Sequence, residues 1–288
     1  MDFKQYIDQA WSIHATETKS VFDSLGDGEK LIVANENIPV LARLITHVCG
    51  DHLGAWKIGT EKLNHLKNNP HYINSTESEF AIHRSIATLQ TCSGELTDLS
   101  HFPISDQVRI LSQAAGMISE HGEISRAMDY FHRSLEIADQ GLEKTDPANR
   151  ALAVTGNNLA CTFEEKKSRT ELETELMILA AQTGRKFWEI AGDPAEVASA
   201  EYRLSQSYLQ ASQIEKSFEH AKLCIQACEV NQCSNLDFFF GCEALALAEK
   251  ARQNDSEYVI AVEKIKFYFE QLSEEDKKWC QKTLSRFL

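Results

Sequence analysis

An all-α fold is predicted for this chain by three features of its sequence. Pro and Gly number only 5 and 13 in 288 residues, too few to punctuate many short strands, while the strong helix formers Ala, Leu, Glu, Lys and Gln are abundant. Apolar residues recur at the three-to-four spacing of a helix face rather than in strict alternation. Helix-start signals return at a nearly constant interval, and such a period marks stacked repeats of one supersecondary unit.

Those starts are the segments Thr145-Asp146-Pro147-Ala148 and Gly192-Asp193-Pro194-Ala195. Each offers an Asp carboxylate to cap free backbone N–H groups and a Pro at the first helical position, where a missing N–H is harmless. Their prolines are about 47 residues apart, Phe102-Pro103-Ile104 lies about 44 residues earlier, and Asn235-Leu236-Asp237 comes roughly 43 later. Two helices of about 18 residues and two turns fill that period, which predicts a helical solenoid.

Within each period two helices meet at small residues. One copy runs Leu111-x-x-Ala114-Ala115-x-x-Ile118, turns at Gly122, and continues Ala127-x-x-x-Phe131-x-x-Ser134. Ala115 and Ala127 let the backbones approach, and Leu111, Ile118 and Phe131 fill the space beside the crossing. A second copy reads Leu204-Ser205-x-x-Tyr208, then Ser217, Ala221 and Cys224. These spacings resemble the tetratricopeptide motif. Asn157-Asn158-Leu159-Ala160-x-x-Phe163 resembles the first helix of the longer repeats typified by kinesin light chains, although its partner helix, Thr170 to Ala191, departs from the pattern. A looser pair follows, Cys242-x-x-Leu245-Ala246 with Tyr258, Val262 and Ile265. The resemblance covers about residues 105–271 and implies a right-handed solenoid of antiparallel helix pairs. Ser273-Glu274-Glu275-Asp276 starts a last helix whose Trp279, Leu284 and Phe287 give it one apolar face, suited to capping the stack over 273–288. The apolar run Phe238-Phe239-Phe240 needs a cover, which this helix, or else another subunit, would supply.

The N-terminal part predicts a separate helical segment over 1–75, with the repeat domain over 76–288. Asp2 to Ser24 reads as one amphipathic helix, Gly26-Asp27-Gly28 as a break, and Leu31 to Cys49 as a helix interrupted at Asn37-Ile38-Pro39. Leu41-Ala42-x-x-Ile45 with Gly54 and Ile58, and Ile86-Ala87 with Gly94, resemble degenerate repeats. The polar stretch from Asn68 to Thr76 marks the boundary.

Charge and composition narrow the partners. A formal charge of −14 repels phosphate backbones and anionic lipid, and the basic clusters Lys166-Lys167-Ser168-Arg169 and Lys277-Lys278 are short, so no nucleic acid is expected. The start Met1-Asp2-Phe3-Lys4 carries no secretory pattern, and the most apolar segment, Phe238 to Ala248, falls short of the roughly 20 residues of a bilayer span. A cytoplasmic, non-membrane protein is expected, with its eight cysteines reduced. Cys224, Cys228 and Cys233 lack the four well-placed ligands of a structural zinc site and read as core or surface thiols.

Chemical motifs are few. GxSxG, a glycine-rich phosphate loop, HExxH and GxGxxG are all absent, so no enzyme and no cofactor is implied. Nine of the ten histidines precede residue 133, and His47, Cys49 and His52 form the one compact candidate for a metal. His47 and Cys49 point about 200° apart on a helix, so the segment would have to unwind to use both.

The repeat register puts Gln113, Asn158 and Arg203 at equivalent places on successive first helices, whose outer sides line the concave groove of tetratricopeptide proteins. In co-chaperones of that family, Asn and Arg there help form a carboxylate clamp. Here Ser199 takes a place held by lysine in the clamp, and its lysines have no counterpart. The expected function is a protein- or peptide-binding scaffold using this groove, acting on an extended segment with an acidic group, and resembling in layout bacterial peptide-responsive regulators. The alternative is a metal-binding or catalytic helical protein with its site in the histidine-rich N-terminal part; a homo-oligomer is a third reading.

Overall fold

A computed structural model describes every residue except Ser75 and Thr97. Among the described residues all regular structure is helical, fourteen α-helices with one π turn and one 3-10 turn, and no strand. The chain divides into two compact units, Met1–Leu142 and Glu143–Leu288, so the division falls inside the region whose sequence repeats. Of the expected loop from Asn68 to Thr76, Ser75 lies outside the described residues.

The first unit contains α1 (Phe3–Ile13), α2 (Thr18–Lys30), α3 (Asn37–His47), a π turn (Val48–His52), α4 (Trp56–Leu66), α5 (Glu77–Ser93), α6 (Ile104–Glu120) and α7 (Ile124–Asp139). α1, α2 and α3 contact one another, α3 and α4 pack on α5, and α5, α6 and α7 follow in series. Ala115, Ala127, Leu111, Ile118 and Phe131 are all buried, and Gly122 makes the α6–α7 turn at φ +82°.

Its first helices differ from the sequence reading in two ways. The single helix expected over Asp2 to Ser24 is broken between Ile13 and Thr18, where side chains capture the backbone: His14 Nδ1 meets the Trp11 carbonyl at 2.6 Å and Thr18 Oγ1 donates to the His14 carbonyl at 2.6 Å. Such local bonds compete with continuation of a helix. The break expected at Gly26-Asp27-Gly28 is absent, since α2 runs through it. Gly28 is required for packing, because a β-carbon there would lie 2.3 Å from the Tyr6 ring, while the Tyr6 hydroxyl donates to the Ser24 carbonyl. The next interruption falls at residues 31–36, and Pro39 sits in the first turn of α3, where a missing N–H breaks no bond.

The second unit contains α8 (Pro147–Glu164), α9 (Glu171–Ala191), α10 (Pro194–Gln210), α11 (Ile214–Asn231), α12 (Asn235–Ala251), α13 (Asp255–Glu270) and α14 (Glu274–Leu284), ending in the 3-10 turn Ser285–Phe287. The caps read from the sequence are made: the Asp146 carboxylate accepts from Ala148 N, Asp193 from Glu196 N, and Ser273 Oγ from Asp276 N. The cap of α12 is Ser234, one residue before the expected Asn235. Helices pair as neighbours, α8 with α9, α10 with α11 and α12 with α13, and α10 also touches both α8 and α12. Phe239, Cys242, Ile265 and Phe269 share one core with Cys280, Leu284 and Phe287, so the last helix covers this end of the unit. Phe240 meets the Trp279 ring edge-on at 5.3 Å, and Phe238 stacks on Tyr268 at 4.9 Å.

The backbones of α8 and α9 approach closely. A β-carbon on Gly156 would stand 2.6 Å from the Ala180 carbonyl oxygen and 2.7 Å from Gly184 N. Two glycines facing each other let two helix backbones touch.

Candidate functional site

Two candidate places among the described residues gather polar side chains. The first is the outer face of α8 and α10 in the second unit. Arg203, Ser207 and Glu196 on α10 point toward α8, through bonds to Glu164 and Arg150, whereas Tyr202 points toward α12, through Glu243 and Phe240. Between those directions the helix presents Ser199, which is exposed, and Gln206, which is half-buried. On α8, Val154 and Asn158 are exposed. Gln113 is exposed on α6 and belongs to the first unit, while Asn158 and Arg203 belong to the second.

Arg203 is not a free cation. Its guanidinium is paired with Glu164, whose side chain is only 9% exposed, and Ser207 Oγ donates to the same carboxylate at 2.5 Å. Burial pushes the Glu164 carboxyl above its ordinary range, against the opposing pull of Arg203 and Ser207. Burial also works against the Arg203 charge, but Glu164 outweighs it and holds the guanidinium pKa above its ordinary value. Arg203 Nε and Gln206 Nε2 are buried without a hydrogen-bond partner. Neighbouring buried carboxylates are also engaged: Glu201 with Arg185 at 2.5 Å and His220 at 2.6 Å, and Glu243 with the Tyr202 hydroxyl at 3.0 Å and Arg286 at 2.9 Å. The sequence holds no sign of Glu164 as the internal partner of Arg203, because that pair joins residues 39 apart.

The second place lies in the first unit, where α1, α3 and the π turn meet. One ring nitrogen from each of His14, His47 and His52 lies within 4.8 Å of the other two. His14 and His47 are half-buried and His52 is exposed. His47 Nδ1 is 2.7 Å from Asp51 Oδ2, His14 Nδ1 is 2.6 Å from the Trp11 carbonyl oxygen, and the Nε2 atoms of His47 and His52 face each other at 3.1 Å. The Trp11 ring packs 5.1 Å from His14 and 5.0 Å from His47, with Arg43 stacked on it. Burial, then the neighbouring His47 and His14, lower the pKa of His52.

The sequence points to His47, Cys49 and His52 here, and in the structure His14 stands in place of Cys49. The segment does unwind: Val48–His52 is a π turn, whose i→i+5 register brings residue 52 back over residue 47. An α-helix would have left these two about 140° apart. Cys49 turns into the core instead, fully buried, with burial pushing its thiol up to about 11. The turn is held from α6. Gly50 leaves room for Met117, whose sulfur a β-carbon would meet at 2.5 Å, and the Gly50 carbonyl is met by His121 Nε2 at 3.1 Å.

No family model matches this chain, and no curated protein matches it.

All eight cysteines are free thiols, and only Cys161 and Cys233 are not fully buried. Cys224, Cys228 and Cys233 interact in sequence along the end of α11, where hydrogen bonding to Cys224 and burial raise the Cys228 thiol and burial raises Cys233 to about 11. Among the described residues the three histidines are the one cluster of metal-ligating groups. No helix of the described residues is long and apolar enough to cross a membrane.

Proposed function

We propose that this chain is a protein- or peptide-binding scaffold, a tetratricopeptide-like right-handed solenoid whose groove runs over the first helices of its repeats, and that it works without catalysis. One observation carries the reading: α10 touches both α8 and α12, so first helices stack on first helices and leave a continuous outer face between them. Along that face the exposed Asn158 and Ser199 are uncharged donors and acceptors, suited to the amides of an extended segment. Because Glu164 already neutralises Arg203, the ligand is read by its backbone rather than by a carboxylate on Arg203. A cytoplasmic setting fits the reduced cysteines.

The test starts with the full chain as bait in a native extract, followed by measurement of affinity for the retained partner. Asn158→Ala lowers that affinity tenfold or more, and Ser199→Trp blocks binding sterically, with helix content unchanged. Full affinity in both variants would remove the groove from the reading.

A further inference from the structure

We propose that His14, His47 and His52 form a three-histidine site for one divalent ion of the Zn2+ class, a site independent of the peptide groove. The geometry is close to what such an ion demands. Zn–N bonds of about 2.0–2.1 Å in a tetrahedron set the ligand nitrogens about 3.3 Å apart. Here the His47 and His52 Nε2 atoms stand at 3.1 Å, and one nitrogen from each of the three rings lies within 4.8 Å of the others. Small side-chain rotations close the remaining gap, since His14 hangs from the end of α1 and His52 is exposed.

The outer partners prepare the rings for ligation. When Nδ1–H of His47 donates to Asp51 and Nδ1–H of His14 donates to the Trp11 carbonyl, both rings are held in the tautomer that leaves a lone pair on Nε2. A carboxylate behind a ligating imidazole is the usual support of such ions, and it fixes ring orientation as well. Trp11 packs on both rings and keeps the wall beside them apolar. Imidazoles suit Zn2+ and its first-row neighbours, whereas Mg2+ and Ca2+ take oxygen ligands. Three protein ligands leave a fourth position for water or an exchangeable ligand, the open pattern of sites that do more than hold a fold together. The backbone carries the same design: the broken α1 supplies His14, and the π turn, fastened by Gly50 and His121, supplies His52 beside His47.

The experiment uses the tag-free full chain, stripped of metal with a chelator and titrated with Co2+, then with Zn2+ as competitor. The expected result is one Co2+ per chain with the visible bands of a four-coordinate centre, no thiolate-to-metal charge-transfer band in the near ultraviolet, and displacement by Zn2+. A charge-transfer band would place the ion on a cysteine, Cys49 beside the site or Cys224, Cys228 and Cys233 on α11, and overturn the proposal without any variant. Replacing the three histidines with Gln abolishes the bands, and Asp51→Asn weakens binding by about 10–100-fold while helix content is kept. Zn2+ raises the thermal midpoint of the parent and leaves that of the triple variant unmoved. Failure of the parent to bind Co2+ stoichiometrically, or survival of the bands in the triple variant, would refute the site. None of these readouts depends on a peptide, so the fate of the groove is decided separately.

Discussion

Gly156→Ala is the sharpest probe of the helix pairing, because two effects of opposite sign meet at that residue. In an isolated helix the change stabilises by about 1 kcal/mol, since Ala is the better helix former. In the second unit the new β-carbon would stand 2.6 Å from the Ala180 carbonyl oxygen, 2.7 Å from Gly184 N and 3.1 Å from Gly184 Cα. Ordinary contacts between heavy atoms lie at roughly 3.5–4.0 Å. All three obstacles are backbone, so no side chain can swing away, and the helices must separate by most of an ångström. Leu152, Leu159, Leu176, Met177 and Phe187, all buried in α8 and α9, then lose part of their contact. A gap of that size forfeits a quarter to a half of each dispersion well, and overpacking of this kind costs about 1–3 kcal/mol. With rigid backbone on both sides the upper end applies, about 3 kcal/mol, and the propensity gain leaves a net loss of about 2 kcal/mol. Because the chain has two compact units, the assay is site-resolved amide hydrogen exchange beside urea unfolding. Protection falls in α8 and α9 and stays unchanged in α1 to α3. Gly26→Ala is the control: it lies inside α2 with nothing within 4 Å of its would-be β-carbon, so it stabilises by about 0.5–1 kcal/mol. A Gly156→Ala protein that is as stable as Gly26→Ala would refute the close pairing of α8 with α9.

Ala127 is fully buried on α7, so Ala127→Leu overpacks the α6–α7 pair and lowers stability by about 1–3 kcal/mol in urea unfolding. Burial opposes the charge of Glu201, but hydrogen bonds from His220 and Arg185 prevail and hold its carboxyl below the ordinary range. The stability from this group is present above the unfolded glutamate pKa, near 4.3, and is lost as pH falls through the lower folded value. Glu201→Gln is therefore less stable by about 3 kcal/mol at pH 7, and its stability falls less steeply than the parent's as pH drops below about 5. Thiol titration of unfolded, unreduced protein finds all eight cysteines, and in the folded protein Cys161 and Cys233 react first.

The sequence by itself determined the helices that have clear ends and one clear face. Asp146-Pro147, Asp193-Pro194 and Ser273 each satisfy a local backbone demand within three residues, so their caps could be read without knowing any neighbour. The burial of Ala115, Ala127 and Phe131 follows from spacing on one helix in the same way. Only the tertiary structure decided what depends on residues far apart in sequence. The cover over Phe240 came from Trp279, and the Gly28 that reads as a helix breaker became the seat of the Tyr6 ring. Arg203, which reads as a free binding charge, found Glu164, and the metal candidate exchanged Cys49 for His14. That last exchange needed both a helix broken by His14 and Thr18 and a π turn held by His121, so the rotation of each histidine was set by contacts with α1 and α6 rather than by the spacing of 47, 49 and 52. Propensity and capping act over a few residues, whereas the direction of a side chain inside a packed unit is fixed by whatever lies against it.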